Sequence, residues 1–457
     1  MRSYPVGNGT LSPRVPREFA ALMNALQIRG ANTDALLELK DTDWEKLLDF
    51  CDLAHLTLPL AQVARTDFPV WVVRRLEKNA ADLALRFERV RAWYIEVAET
   101  LEQARISHLV IKGFTQSPEY VKDPRLRFQS DLDLYCPPEY ITKARGALEQ
   151  IGYKTVGELD SRNADHLQSM SRPGNWTWKG NMYDPEMPVS IELHHCLWNE
   201  RVNLIAIPEV KDFWDRRVIR RLENFSFPAL NTVDQLGYFA LHILRGIISG
   251  EWIVQHVREL AVFLQSHAED EQFWQEWNLA HSNHLRTLES IAFSLARMWF
   301  SCTLPATVCS QIASLPAVQE KWIERYAGAS LEVMFRRNKD GKLLQLLLTQ
   351  SWVTRRAALR RAIIPTIMTR PGGPMVRIQN RRQKAPGNTN RYFDYLLYVS
   401  GRVLSHLFEL LFFLSHGVRL CLPKRPLRSQ FWLFLAVSSV LSCACQYISS
   451  STIPGGL

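Results

Sequence analysis

A chain of 457 residues is too long for one ordinary core, so two or three domains are expected. Its hydrophobic content of 47% excludes a disordered protein. The formal net charge of +9 owes much to an Arg/Lys-rich band over 355–391, which suits a phosphorylated ligand, nucleic acid or an anionic membrane surface. The eight cysteines are scattered, and 1–16 contains no apolar stretch long enough for a signal sequence. A cytoplasmic protein is therefore predicted.

Helical periodicity dominates the first hundred residues, where apolar residues recur at three- and four-residue intervals over about 17–105. Asp43 is expected to cap one of these helices. Farther on, the pattern changes to short apolar runs separated by turn residues. It predicts strands over 106–111, 130–135 and 189–193, and a helix over 139–152, which together form an alternating α/β unit.

The helical pattern returns over 231–264 and 271–303. Pro, Gly and basic residues over 369–374 and 381–388 then predict a linker. The predicted fold class is α+β, in four regions. These are a helical N-terminal region (1–104), an α/β core (105–225), a second helical region (226–368) and a basic linker with an apolar C-terminal extension (369–457).

Two carboxylates lie in the predicted strand over 130–135. Side chains alternate faces along a strand, so Asp131 and Asp133 point to one side. Asp is depleted in strands, so a pair there needs a compensating partner such as a cation; a solvated strand end is the alternative. Glu192 lies in a later strand and would face the same point. Three such oxygen ligands plus substrate phosphates are what Mg²⁺ prefers.

This combination of residues resembles the nucleotidyltransferase fold of the DNA polymerase β superfamily, and more closely a bacterial family of uncharacterised nucleotidyltransferases. The resemblance spans roughly residues 40–270. The residues that carry it are Lys112-Gly113 after the first strand, Arg127, Asp131 and Asp133 on the second strand, and Glu192-Leu193-His194 on a later one.

The resemblance implies a minimal nucleotidyltransferase core flanked by helical regions, with 226–368 shaping the substrate site. The implied reaction moves a nucleoside monophosphate from an NTP to an acceptor hydroxyl on a small molecule, sugar or protein. Asp131 and Asp133 would bind one or two Mg²⁺ ions, or Mn²⁺ in their place. Glu192 would complete the second metal site and help to activate the acceptor hydroxyl.

The resemblance also implies a nucleotide-binding group made of Lys112, Gly113 and Arg127. Gly113 would open the turn toward a phosphate, while the two cations would supply positive charge. The chain departs from the wider superfamily because Lys112-Gly113-Phe114 replaces its common Gly-Ser pair. Thr115 and Ser117 are the candidate replacements for the lost hydroxyl.

Two other hypotheses stay open. One is a noncatalytic nucleotide- or partner-binding protein that retained the fold. The other is a membrane-associated accessory factor in envelope polysaccharide or peptide biosynthesis, which depends on the C-terminal part. There, 431–448 carries no charge and follows three basic residues, and 393–422 resembles an amphipathic helix.

Membrane contact through 393–448, at the inner face of the membrane, competes with a buried helical hairpin. The basic cluster over 355–361 is not accompanied by a recognised nucleic-acid-binding module, so no specific nucleic-acid partner is predicted.

Overall fold

Helices build the N-terminal part, as predicted, and the longest of them leads directly to the sheet. The computed structural model describes residues 15–156, 165–364 and 391–421, with backbone alone over 391–398. The first helices are α1 (Arg17–Ala25), α2 (Asp34–Leu37), α3 (Asp41–Leu53), α4 (Thr57–Gln62) and α5 (Val70–Gln103). The length of α5 follows from its sequence, because apolar residues keep a three- and four-residue spacing along one buried face.

The prediction that Asp43 caps a helix is wrong. The helix α3 begins at Asp41 and its N-cap is Lys40, so Asp43 lies in the first turn. A carboxylate there still favours the helix, because the amino end of a helix carries partial positive charge.

A seven-stranded sheet forms the centre of the described chain. Its strands are β1 (Leu109–Val110), β2 (Asp131–Tyr135), β3 (Lys154–Thr155), β4 (Met170–Ser171), β5 (Ser190–His194), β6 (Val218–Leu222) and β7 (Phe225–Ala229). Their order in the sheet is β3-β4-β5-β2-β1-β7-β6. The middle strand β2 runs parallel to β5 and antiparallel to β1, while β1 runs parallel to β7.

One face of this sheet is apolar and packs against helices. Leu132 and Leu134 of β2 are fully buried in a cluster with residues of α5 and α6 (Ile141–Gln150). Since side chains alternate along a strand, the two aspartates of β2 point to the opposite face. Burial of the leucine face therefore determines which way the carboxylates point.

The predicted strands are present: β1 and β2 are shorter than expected, β5 begins one residue later, and four strands were missed. The strand expected over 106–111 is reduced to Leu109–Val110, and the helix expected over 139–152 is α6. The β6–β7 hairpin was not predicted because β6 is largely exposed and lacks an apolar pattern. In β7 the signal was present: Phe225, Phe227 and Ala229 alternate inward.

Helices again dominate after the sheet, which confirms the α+β class. The short helix α7 (Glu200–Asn203) lies between β5 and β6. The helices after the sheet are α8 (Thr232–Ser249), α9 (Val254–Ser266), α10 (Glu271–Ala280), α11 (Asn283–Phe300), α12 (Ala306–Ala313), α13 (Ala317–Tyr326), α14 (Ala329–Glu332), α15 (Asp340–Leu348), α16 (Trp352–Ile363) and α17 (Arg391–Cys421). Short 3₁₀ helices occur at Gly113–Gln116, Pro124–Leu126 and Pro208–Trp214. The boundaries of the four predicted regions stay a prediction.

The helix α17 packs on the second helical region through one face. His416 Nδ1 lies 2.5 Å from Asp340 Oδ1, and the Tyr326 hydroxyl donates to the backbone oxygen of His416. Phe413 and Leu420 are buried against the same helices. The predicted linker and the uncharged stretch over 431–448 lie outside the described residues.

A buried charge network joins α8, α10 and α11. His281 is almost fully buried, with Nδ1 2.8 Å from Glu289 Oε1 and Nε2 3.4 Å from Asp234 Oδ1. Trp277 donates to Glu289, and Arg216 donates to both oxygens of Asp234. Burial acts to lower the pKa of His281, but the two carboxylates outweigh it and raise this pKa to about 9.

This network predicts a loss of stability at alkaline pH. Because the pKa of His281 is higher in the folded chain than its ordinary 6.5, its contribution is complete below pH 6.5 and disappears as pH rises through about 9. The free energy of unfolding should fall by about 3 kcal/mol over that interval. Urea denaturation from pH 6 to 9.5 measures this; a His281→Gln chain that shows the same pH dependence as the wild type would contradict it.

Candidate active site

The parallel register of β2 and β5 brings the predicted carboxylates together. Asp133 is paired with Glu192, and Asp131 with Ser190, so Glu192 lies beside Asp133 on the polar face of the sheet. Neighbouring strands are about 4.8 Å apart, which is a distance that one bound ion can bridge. The expectation that a later strand supplies a third carboxylate at this point agrees with that pairing.

Asp133 is the buried centre of the site, with only 4% of its surface exposed. Lys112 Nζ donates to Asp133 Oδ1 at 2.7 Å, and His194 Nε2 donates to the same oxygen at 2.8 Å. Burial acts to raise the pKa of Asp133, but the ammonium and the imidazole outweigh it and hold this pKa below its usual range. Asp133 is therefore an ionised carboxylate at neutral pH.

Asp131 has a different environment. The residue as a whole is partly exposed, and within the described part of the chain its carboxyl group has no hydrogen-bond or ion-pair partner. Burial raises the pKa of Asp131 to about 7, and the negative charge of Asp133 adds to the shift. The backbone of Asp131 is nevertheless fixed, because Gln129 Nε2 donates to its carbonyl oxygen at 2.7 Å. Asp131 thus presents an unpartnered carboxyl group beside Asp133.

Glu192 has partners that the sequence did not indicate. Ser169 Oγ donates to Glu192 Oε1 at 3.0 Å, and His166 Nε2 lies 3.7 Å from Glu192 Oε2. Ser169 and His166 lie in the segment that leads into β4, the strand that pairs with β5. Their distance in sequence from Glu192 left no pattern by which to find them.

A compact group of candidate metal ligands emerges from this arrangement. Among the described residues, one ligand atom each from Asp133, Glu192 and His194 lies within 4.8 Å of the others. Asp131, which was predicted to be a ligand with Asp133, is not in this group. His194 was not among the predicted ligands, and the structure adds it to the candidate ligands.

The predicted nucleotide-binding cations are both already paired with carboxylates. Lys112 is bound to Asp133, as described above. Arg127 Nε donates to Glu259 Oε1 of α9 at 2.9 Å, and both side chains are largely buried. Burial acts to lower the pKa of Lys112, but Asp133 outweighs it and raises this pKa. Both cations therefore help to fix the site, whether or not a nucleotide is bound.

Gly113 makes the turn after β1, as predicted, with a left-handed φ of +71°. A Cβ atom at this position would lie 2.2 Å from Gln129 Nε2, the atom that holds Asp131 in place. Thr115 and Ser117 follow in the turn and are buried, and their hydroxyls bond to the backbone oxygens of Lys112 and Lys122. Neither hydroxyl is free to replace the missing Gly-Ser hydroxyl.

An α+β fold with two carboxylates on a central strand and a third on its parallel neighbour agrees with the nucleotidyltransferase fold that the sequence resembles. The family model described as uncharacterised nucleotidyltransferase matches residues 40–301, which is more than half of the chain. The chain belongs to this family, and the membership supports classing it as a nucleotidyltransferase enzyme. No curated protein and no solved structure matches it.

Substitution of Gly113 tests how closely the turn is coupled to Asp131. We expect Gly113→Ala to lower the free energy of unfolding by about 2 kcal/mol or more, because it combines left-handed strain with displacement of Gln129. Gly152→Ala is the matched control, since Gly152 has φ +93° and open space around it. Urea denaturation of both variants gives the comparison; equal losses would show that contact with Gln129 contributes nothing.

Proposed function

We propose that this nucleotidyltransferase transfers a nucleoside monophosphate from an NTP to an acceptor hydroxyl on a small molecule, sugar or protein, with Mg²⁺ or Mn²⁺ as cofactor. The observation that carries the proposal is the pairing of Asp133 with Glu192 across parallel strands, with the unpartnered carboxyl group of Asp131 beside them. Family membership supports nucleotidyl transfer in general. The acceptor and the ion are the parts that we propose.

The charge balance of the site supports binding of a divalent ion. Three cations near the site are each paired with a carboxylate: Lys112 with Asp133, Arg127 with Glu259, and Arg245 with Asp165. A fourth, Arg86, is bonded to backbone oxygens. The carboxyl groups of Asp131 and Glu192 have no Lys or Arg partner among the described residues. Excess negative charge at a partly buried site is what a divalent cation neutralises.

Asp131, Asp133 and Glu192 are the residues that we propose to hold the ion. When bound, it would neutralise negative charge on the phosphoryl oxygens and activate the acceptor hydroxyl. The protein's own part is to hold these carboxylates in place. Lys112 and His194 fix the orientation of Asp133 and keep it ionised, and Ser169 fixes one oxygen of Glu192.

Lys112, Gly113 and Arg127 stay the proposed nucleotide contacts. An ammonium has three N–H donors and a guanidinium has five, so each cation can bind its carboxylate and still donate to a phosphate. Gly113 contributes the absence of a side chain, which lets the backbone approach a ligand closely. A noncatalytic, nucleotide-binding role is the second candidate, because neither Thr115 nor Ser117 offers a free hydroxyl in place of the Gly-Ser pair.

The proposal predicts metal-dependent NTP binding that requires both aspartates of β2. Calorimetry with the four NTPs, in Mg²⁺, Mn²⁺ or EDTA, should detect binding by the wild type, and Asp131→Asn/Asp133→Asn should weaken it at least a hundredfold. Pyrophosphate release in the presence of cell extract then distinguishes an enzyme from a noncatalytic binder. Asp123→Asn, outside the site, is the control. A folded wild type that binds no NTP would contradict the proposal.

A location at the inner face of the membrane is proposed from the exposed face of α17. Over Val399–Cys421 this helix has the length and hydropathy needed to cross a membrane, and 11% of its apolar window is buried. Seven apolar side chains on it are exposed: Val399, Val403, Leu404, Leu407, Leu411, Leu414 and Val418. The opposite face packs on α13 and α15, so we propose that α17 lies on the bilayer surface.

Charge near α17 favours an anionic bilayer as its partner. Arg355, Arg356 and Arg360 are exposed on α16, which touches α17 where His406 bonds to the backbone oxygen of Ile363. Trp352 and Val353 at the start of α16 are more than 70% exposed. Basic residues beside exposed aromatic and aliphatic side chains are typical of helices that bind membrane surfaces.

This location predicts binding to anionic vesicles. The full chain should sediment with vesicles that contain phosphatidylglycerol, and more weakly with pure phosphatidylcholine vesicles. Val403→Asp/Leu407→Asp/Leu414→Asp should reduce binding at least tenfold, because charges on the apolar face oppose burial in the bilayer. The control variant Val70→Asp/Ile219→Asp/Leu279→Asp alters three exposed apolar residues elsewhere. Equal binding by the two variants would contradict the proposal.

A further inference from the structure

The chain that enters β4 places a carboxylate behind one of the candidate metal ligands. Asp165 Oδ2 lies 3.8 Å from His194 Nδ1, on the side of the ring away from Asp133. Asp165 in turn accepts a hydrogen bond from Arg245 Nη1 of α8 at 2.5 Å. Arg245, Asp165, His194 and Asp133 therefore form a continuous chain of polar contacts that runs from α8 into the site.

His194 uses one ring nitrogen and leaves the other without a partner. Its Nε2 donates to Asp133 Oδ1, whereas its Nδ1 is buried and has no hydrogen-bond partner in the described structure. The Asp165 carboxylate faces Nδ1 from a distance too long for a hydrogen bond. A buried polar atom without a partner is costly, and Asp165 is the carboxylate that would accept from a proton on Nδ1 if the two groups moved to hydrogen-bond distance.

We infer that Asp165, held by Arg245, positions His194 as a nitrogen ligand to the divalent ion, and that the site therefore prefers Mn²⁺ to Mg²⁺. The inference rests on the proposed function. To bind an ion through Nε2, His194 must give up its hydrogen bond to Asp133 and carry its proton on Nδ1, the nitrogen that the Asp165 carboxylate faces. A carboxylate that accepts from the far nitrogen orients metal-binding imidazoles in many proteins.

The preference for Mn²⁺ follows from the mixed ligand set. Asp133 and Glu192 offer oxygen, which suits both ions, but His194 offers nitrogen. Mg²⁺ prefers a shell of oxygen ligands and loses its waters reluctantly. Transition ions accept imidazole together with carboxylate. The nitrogen ligand therefore favours Mn²⁺ over Mg²⁺, and Asp165 strengthens this preference by orienting His194.

A titration of the full chain with Mn²⁺ tests the inference without any activity assay. The electron paramagnetic resonance signal of free Mn²⁺ measures how much of the ion remains unbound. Asp165→Asn should weaken Mn²⁺ binding 10- to 100-fold. It should weaken Mg²⁺ binding, measured by competition, much less. Asp52→Asn is the matched control, because it breaks a comparable pair with Arg75 at 2.5 Å elsewhere in the fold; its Mn²⁺ affinity should stay within twofold of wild type.

A double-mutant cycle separates positioning from a general structural effect. If Asp165 acts through His194, Asp165→Asn should have little further effect on Mn²⁺ affinity in a His194→Gln chain. Arg245→Gln provides a second route to the same result if Asp165→Asn proves unstable to thermal denaturation. Fully additive losses of Mn²⁺ affinity in the double variant would overturn this inference but not the proposed function. The same holds if Asp165→Asn and Asp52→Asn have equal Mn²⁺ affinity. A folded wild type that binds neither ion would contradict the proposed function as well.

Discussion

The buried carboxylate of Asp133 is the constraint on which the rest of the site depends. A charge at the centre of a sheet, 4% exposed, is stable only when other groups compensate it. The two groups that do so come from the strands on either side of β2: Lys112 lies two residues after β1, and His194 ends β5. The strand order β5-β2-β1 is therefore also the order of the site's residues.

The same principle connects the helices to the sheet. Arg127, just before β2, pairs with Glu259 of α9, and Arg245 of α8 pairs with Asp165 near β4. Each pair joins an element of the sheet region to a helix that follows it by more than 70 residues. Because these cations are engaged with carboxylates, they hold the polar face together without neutralising Asp131 or Glu192. The same ion pairs thus fix the shape of the site and leave the negative charge of Asp131 and Glu192 in place.

The sequence was most informative where local pattern and burial agree. The alternation Asp-Leu-Asp-Leu predicted both the strand β2 and the shared face of Asp131 and Asp133, since burial of the leucines leaves no other orientation. The sequence pattern placed Glu192 on a later strand that faces the same point as Asp133. The parallel register that pairs the two residues, 59 positions apart in the chain, is set by tertiary pairing that no local pattern records. Lys112 and Arg127 were recognised as cations near the site, but their carboxylate partners were not.

Residues that act from a distance could not be predicted. Asp165, Ser169 and Arg245 reach the site through β4 pairing and through α8, and no spacing in the sequence relates them to Glu192 or His194. The β6–β7 hairpin was missed for a similar reason: β6 is an edge strand, exposed and basic, so tertiary pairing rather than propensity makes it a strand.

A crystal structure of the protein with Mn²⁺ and a non-hydrolysable NTP analogue would test the central claim most directly, because anomalous scattering locates Mn²⁺ independently of any model. The account predicts an anomalous peak between β2 and β5, within bonding distance of Asp133 and Glu192, with the triphosphate beside Asp131. A peak elsewhere, or a nucleotide bound away from these carboxylates, would contradict it.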